Sequence, residues 1–311
     1  MTFDVISVGG AAIDTFVTSS SPDILVKDKQ VTLPIGGKIL LDFAKNDVGG
    51  AGVNTSISFS RLGLRAGFLG KLGNDSAAQT IQLRLKQEGV DVLETAHSGK
   101  TGFSFILSGL NHDRTIFAYK GSSSLLSSQD VPWKKIDSKW IYLGSLLGEG
   151  WKTEEKIAWF ASKKKIKLLF NPSLYVAHQG AKKLKEVLDA CEIIVLNKEE
   201  AQALLNSKGT LPQLLKGLHK HVPLAVITDG PRGAHAYDGA KAYYAPAHHL
   251  KVLDPTGAGD AFASGFLAAI IFGENIPTAL RWGIAQAESI LQKFGATNEL
   301  LTKKQMVKQC S

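Results

Sequence analysis

Apolar and polar positions follow two different periods along this chain, and the change between them outlines its organisation. Phe3 to Val8 alternates and is rich in β-branched residues, which predicts a buried first strand; Gly9-Gly10 ends it in a turn that leads to Asp14, just past the strand end. From Thr15 to Val48 the pattern breaks up. Pro22, Pro34, Gly36-Gly37 and short alternating runs such as Gln30 to Leu33 predict small strands outside the main layers. A helix runs from the glycine loop at Gly49 to Leu62-Gly63, and Phe68-Leu69-Gly70 reads as the next strand. Ser76 with Gln79 forms a capping box, predicting a helix to Glu88 that Gly89 stops. Thr101 to Leu107 and Thr115 to Tyr119 alternate like the arms of a hairpin around Asn111-His112-Asp113.

From Lys139 onward, strands alternate with helices. Trp140 to Gly144, Ile166 to Phe170, Ile193 to Leu196 and Leu224 to Thr228 read as buried strands, with a helix over Thr153 to Lys164. Short strands near Ala234 to Tyr237 and Ala242 to Ala245 precede a helix of small and apolar residues from Ala261, and further helices cover Pro277 to Lys293 and Thr302 to Lys308. This alternation predicts an α/β fold, a mostly parallel sheet covered on both faces.

Composition narrows the class without changing that picture. With 311 residues, 44% hydrophobic and 21% charged, the chain is long enough for a large globular core. Its formal charge of +8 is spread over many segments, and the densest run, Lys163 to Lys167, bridges a helix end and a strand. Lysines there complement a helix C-terminus, so a solvated face with a mild attraction for anionic substrates is favoured over a nucleic-acid site. Cys191 and Cys310 are too few for a disulfide framework, which fits a reducing compartment. The N-terminus lacks a basic leader pattern, and the longest apolar run, Phe266 to Phe272, is far short of the about 20 residues that a spanning helix needs. A cytoplasmic protein without membrane partners is expected. His248-His249 has no acidic or cysteine partner at ligand spacing and reads as surface loop.

Candidate chemistry concentrates in Asp254-Pro-Thr-Gly-Ala-Gly-Asp260-Ala-Phe-Ala-Ser-Gly-Phe266. A glycine turn there opens a helix, and the free N–H groups of such a turn, with the positive helix end behind them, cradle anions. A carboxylate beside that cradle repels phosphate unless it has another task. Asp260 can take the proton of a hydroxyl that attacks a phosphoryl group; alone, Gly-x-Gly-Asp equally describes an ordinary N-terminal capping acid. Asn197 and Glu200 lie three apart at a helix start, where both side chains can converge beside a phosphate or simply cap the helix. The Gly49-Gly50-Ala51-Gly52 loop lies behind the whole Thr15 to Val48 segment, whereas a Rossmann fingerprint directly follows the first strand. No Gly-x-x-x-x-Gly-Lys-Ser/Thr occurs, which excludes a P-loop kinase in its simple form.

Over its full length the Asp254 to Phe266 stretch resembles the C-terminal signature of the ribokinase-like (PfkB) carbohydrate kinases, and Gly49 through Gly63 to Gly73 resembles their N-terminal signature. Asn197-x-x-Glu200 resembles the family's Asn-x-x-Glu motif, and Thr228-x-Gly230-x-x-Gly233 its nucleotide-side turn. The resemblance covers nearly the whole chain and implies a single three-layer α/β/α domain over residues 1–311, with a small β lid at about 15–48 and 101–120. It implies transfer of the ATP γ-phosphoryl group to a sugar or sugar-acid hydroxyl, with Asp260 as base and the Gly257, Ala258 and Gly259 amides as anion hole. Gly50 and Asn54, with Asp14 as third contact, would hold the acceptor; Mg²⁺ and its waters would sit near Asn197 and Glu200; Thr228, Gly230 and Gly233 would pass the nucleotide.

The loop Phe294-Gly295-Ala296-Thr297-Asn298 resembles the element that borders the adenine pocket and, in some members, a monovalent-cation (K⁺) site; Gln286 replaces an asparagine often seen on the preceding helix. Several ribose and sugar-phosphate kinases carry lysine where this chain has Ala51, which favours an unphosphorylated acceptor other than ribose. A nucleoside kinase is the main alternative, and Phe103 or Phe105 stacking on a base would mark it; Arg114 is a further candidate to face the acceptor. A catalytically silent sugar or nucleotide sensor ranks below it, because binding alone needs no base. Lid sheets in this family often serve as dimer contacts, so a homodimer is expected.

Overall fold

A computed structural model describes residues 2–28, 30–93, 97–110 and 113–310. Asn111 and His112, at the tip of the expected hairpin, lie outside the described residues. Strands in chain order are β1 (Phe3–Val8), β2 (Ala12–Thr18), β3 (Leu25–Lys27), β4 (Gln30–Thr32), β5 (Phe43–Gly49), β6 (Ala66–Leu69), β7 (Asp91–Val92), β8 (Gly102–Leu110), β9 (Asp113–Tyr119), β10 (Ser138–Leu143), β11 (Lys167–Phe170), β12 (Ile193–Asn197), β13 (Leu224–Thr228), β14 (Ala234–Tyr237) and β15 (Ala242–Ala245). Helices are α1 (Ala51–Arg61), α2 (Ser76–Gln87), α3 (Glu149–Lys164), α4 (Leu174–Ala177), α5 (Lys185–Asp189), α6 (Lys198–Leu205), α7 (Leu211–His219), α8 (Ala258–Ile271), α9 (Ile276–Ile290) and α10 (Lys303–Cys310).

Nine strands form the main sheet in the order β15-β14-β13-β12-β11-β10-β1-β6-β7. It is parallel from β7 to β13, and β14 and β15 close one edge antiparallel. Both faces are covered, because successive side chains of each strand point to opposite sides. Ile6, Val8, Ile141 and Leu143 pack with Ile157 of α3, Leu204 of α6 and Leu214 of α7. Val5, Trp140 and Tyr142 pack on the other side against Phe262 and Phe266 of α8 and Leu280 of α9. This is the three-layer α/β/α arrangement with a mostly parallel sheet. Helix α8 is apolar almost all round because it is the inner helix of its layer, enclosed by the sheet, α1 and α9, with Ala261 to Ala269 buried throughout.

A second sheet of four strands, in the order β5-β2-β8-β9, stands apart from the first. The sequence pattern located its hairpin arms β8 and β9 but not β2 and β5. Asp14 therefore lies within a strand rather than in a turn, opposite Asp47 on β5 and Ser104 on β8. Polar residues in Phe43–Gly49 conceal a strand whose exposure is set by the second sheet, not by a core. The short pair β3 and β4 forms a separate ribbon, as the alternation at Gln30 to Leu33 suggested.

Two local readings are corrected. Helix α8 begins at Ala258, not Ala261, so the whole glycine turn is its first turn. The cap of α2 is Asp75, not Ser76: its carboxylate accepts from the Ala78 amide at 3.0 Å and from the amide and hydroxyl of Thr101 at 2.8 and 2.7 Å. A carboxylate placed to bind three donors outcompetes the neighbouring hydroxyl for the cap. Asp75 thereby ties α2 to the start of β8. Asp75→Ala is expected to cost about 1–2 kcal/mol of unfolding free energy, measurable by urea denaturation.

Candidate active site

A cavity of about 400 Å³ opens where β1, β10, β11, β12 and β13 end, bounded opposite by side chains of β2, β8 and β9. Ends of parallel strands are where α/β folds leave a crevice, because helices cover the faces and loops alone cap the ends. Asp14, Gly50 and Asn54 line it on one side, and Asn197, Glu200 and Thr228 on the other. Gly257, Gly259 and Asp260 form its floor. Ala258, Gly230 and Gly233 are not among its lining residues. Gly230 and Gly233 instead shape a turn after β13 with φ of 56° and 92°, braced by a 2.6 Å ion pair between Arg232 and Asp229.

The floor is the first turn of α8. Gly257 caps it with φ of 82°, and a Cβ there would come within 2.4 Å of the Ala296 side chain, so only glycine fits. Among the described residues, the Gly257 and Gly259 amides have no hydrogen-bond partner, whereas the Ala258 amide donates to the Pro255 carbonyl at 3.2 Å. Two of the three amides expected to bind an anion are thus open, and the third is engaged in the turn.

Asp260 is the third residue of the same helix. Its Oδ2 accepts from Nδ2 of Asn54 at 2.9 Å, while Oδ1 lies 3.4 Å from the Tyr142 hydroxyl. Burial is the main influence on this carboxyl and pushes its pKa up, against the Asn54 hydrogen bond that pulls it down. Asn54, itself buried, lines the cavity, and its carbonyl oxygen is buried without a partner among the described residues.

Two more carboxyls share the space. Asp14 is buried, which raises its pKa to about 6 against a hydrogen bond to Ser104, with the charges of Asp260 and Asp47 adding to the rise. Its Oδ2 would be 1.9 Å from any Cβ at position 49, so Gly49 makes room for it. Burial lifts Glu200 to about 7, opposed by the Asn197 amide and aided by the charge of Asp260. Asn197 and Glu200 form the reciprocal capping box that one sequence reading of the pair expected, at 2.9 and 2.8 Å, and both line the cavity.

A hydrated divalent cation fits beside Glu200, because half-buried like charges with raised pKa values leave electrostatic room for one. Among the described residues, however, no three His, Cys, Asp or Glu side chains form a metal cage. Near the turn, the buried Oδ2 of Asp254 has no partner among the described residues, which suits a monovalent cation. Its Oδ1 accepts from Thr256 at 2.8 Å and lies 3.8 Å from Arg114.

Arg114 lines the cavity as anticipated, but Phe103 and Phe105 do not. They alternate with Gly102, Ser104 and Ile106, which face inward, and Phe105 packs on Phe117 at 6.2 Å on the other side of the sheet. Gln286 is fully buried away from the cavity, donating to Ser58 at 2.8 Å and accepting from the Leu301 amide at 3.0 Å. His248, expected to lack an acidic partner, pairs with Glu288 at 2.8 Å, a contact made across 40 residues. Sequence reasoning missed Ser104, Lys120, Tyr142 and Asn171 at the site. A tyrosine in an apolar strand and an asparagine at a strand end were the available signals.

Asp14 and Glu200 bind protons more tightly in the folded chain than in the unfolded one. Their contribution to stability is therefore present at low pH and lost as pH rises through about 6 and about 7. The melting temperature is expected to fall between about pH 5 and about pH 8, and Asp14→Asn to flatten part of that slope and melt higher at the alkaline end. An unchanged slope in a calorimetric series would contradict the assignment.

The description "pfkB family carbohydrate kinase" matches residues 5–303 of the chain. A 5-dehydro-2-deoxygluconokinase of Halalkalibacterium halodurans is 30% identical over 96% of this chain and 91% of its own length. Among solved structures, adenosine kinase from Sinorhizobium meliloti superposes with a TM-score of 0.86 at 20% identity, each chain covered fully. Arabidopsis thaliana ribokinase, solved with ribose and ATP, gives 0.80 at 21% identity, covering 100% of this chain and 99% of its own. A cavity built on two glycine turns, a buried carboxyl at a helix start and this match over nearly its entire length place the chain in the pfkB family of carbohydrate kinases.

Proposed function

We propose that the chain transfers the γ-phosphoryl group of ATP to a hydroxyl of a small sugar or sugar acid, with Asp260 as general base. The observation that carries this is the position of Asp260: its carboxyl faces the cavity one residue from the open Gly259 amide, with burial raising its proton affinity. Asn54 orients the carboxyl through Oδ2 and, with Asp14, holds the acceptor. Gly50, with φ of 93°, carries the backbone close to that acceptor. As the new P–O bond forms and the bond to ADP breaks, Asp260 takes the hydroxyl proton, and the amides of the α8 turn hold the transferring charge.

Asn197 and Glu200 are the residues that would hold Mg²⁺ through water, and Asp254 is the one that would hold a monovalent cation. The magnesium ion supplies neutralisation of phosphate charge. Thr228 and the Gly230 to Gly233 turn flank the nucleotide side. The four-stranded sheet acts as a lid whose closure excludes water from the site, over the segments at about 15–48 and 101–120.

A sugar or sugar acid is preferred over a nucleoside because Phe103 and Phe105, the residues that would mark a base clamp, do not line the cavity. The Halalkalibacterium relative, named for a sugar-acid kinase, points the same way. That outer side exposes Phe103 and Phe117, which suits a homodimer through the lid. Among the described residues no helix is long and apolar enough to cross a membrane, and both cysteines are free.

ADP release from Mg-ATP across hexoses, pentoses, keto-deoxy sugar acids and nucleosides is expected to single out one sugar or sugar acid. Turnover of nucleosides alone would select the alternative acceptor class; silence with intact binding would select the sensor. Asp260→Asn is expected to lower kcat about 10²–10⁴-fold with little change in ATP affinity, and a near-native rate would remove the base assignment. Glu200→Gln is expected to raise the Mg²⁺ concentration for half-maximal rate by about 10-fold or more at constant protein stability.

A further inference from the structure

Tyr142 belongs to none of the roles above, yet its hydroxyl reaches the carboxyl of the base. The residue lies on β10 with its ring fully buried, set edge-on to Phe59 at 6.1 Å and 67°. A phenol in an apolar layer must find a hydrogen-bond partner, and this one meets two oxygens: Asn171 Oδ1 at 2.8 Å and Asp260 Oδ1 at 3.4 Å. The orientation of Asn171 is set from its far side, where Nδ2 donates to the Val195 carbonyl at 2.7 Å. A flipped amide would place two carbonyl oxygens against each other.

The hydroxyl has one hydrogen for two acceptors. Distance decides between them, since O–H···O bonds run to about 3.0 Å and only the Asn171 contact falls in that range. With its hydrogen committed to Asn171, Tyr142 turns a lone pair toward Oδ1 of Asp260. An ionised carboxylate is repelled by that lone pair at 3.4 Å, and a carboxyl bearing its proton on Oδ1 is not.

We propose that Tyr142, oriented by Asn171, is a positioning residue that favours the proton-bearing form of Asp260 and so strengthens it as a base. The proton that Asp260 takes from the acceptor hydroxyl thus relieves the repulsion between the carboxylate and the phenol oxygen, and it returns to water after the products leave. Other charges also line the cavity around Asp260: Asp14 from β2, Glu200 from α6, Arg114 near the start of β9 and Lys120 just after it. Tyr142 further senses the buried Glu154 of α3. A Tyr142→Phe exchange leaves all of these in place and removes the hydroxyl alone.

The test does not depend on knowing the acceptor. In full-length protein labelled with ¹³C at the aspartate carboxyls, the Asp260 signal is assigned by its loss in Asp260→Asn and followed with pH. Tyr142→Phe is expected to lower the Asp260 pKa by about half a unit to one unit. Asn171→Leu, which frees the phenol hydrogen to turn to the carboxylate, is expected to lower it at least as far. A pKa that rises or stays in Tyr142→Phe overturns the proposal, since a phenol donating to Asp260 gives a rise and a merely structural phenol gives none. The base assignment itself stands or falls separately, on the rate of Asp260→Asn.

Discussion

A buried carboxyl at the positive end of a helix is the constraint on which the rest of this structure turns. Asp260 sits in the first turn of α8, beside amides left open for an anion, and desolvation raises the proton affinity of its carboxyl. Its two oxygens are addressed from different elements, Oδ2 by Asn54 of α1 and Oδ1 by Tyr142 of β10. Helix α8 in turn is held by near-complete apolar burial between the sheet, α1 and α9, so the carboxyl is as fixed as the core. The chemistry of the site and the packing of the central layer are one arrangement.

Around that point, the site is assembled from parts that compete electrostatically. Asp14, Glu200 and Asp260 share one cavity, and each carries a pKa above its ordinary value mainly because of burial. Such a cluster costs stability in the empty protein and is relieved when cations and proton donors enter. Lys120 and Arg114, reaching in from the second sheet, offset part of the charge. The small sheet is therefore electrically part of the site as well as a wall of it: it contributes Asp14 and Ser104 inward and leaves Phe105 and Phe117 outward.

Much of this was legible along the chain. The strand and helix order from Lys139 onward follows from apolar runs that only a sheet covered on both faces can bury, and the two glycine turns and the acid at position 260 mark themselves by local backbone chemistry. Local signals failed where a position has more than one suitor. Asp75 took the cap of α2 because Thr101 adds two donors from a distant strand, and His248 met Glu288 across a gap that no spacing rule spans.

Tertiary structure alone decided what lies within reach of Asp260. Periodicity placed Tyr142 in a buried strand and Asn171 at a strand end, but their meeting requires β10 and β11 to run side by side beneath α8. Asp14 was recognised as a candidate just past the first strand, but its own strand went unseen, because β2 and β5 acquire their pairing from each other and from β8, not from an apolar pattern of their own. The sequence by itself determined the layers, the alternation of strands and helices from Lys139 onward and the chemistry of the turns, since these depend on burial and backbone preference within a few residues. Which side chains share a hydrogen, and which oxygen is left without one, depends on distances of a few tenths of an ångström between segments far apart in the chain, and only the folded structure sets those.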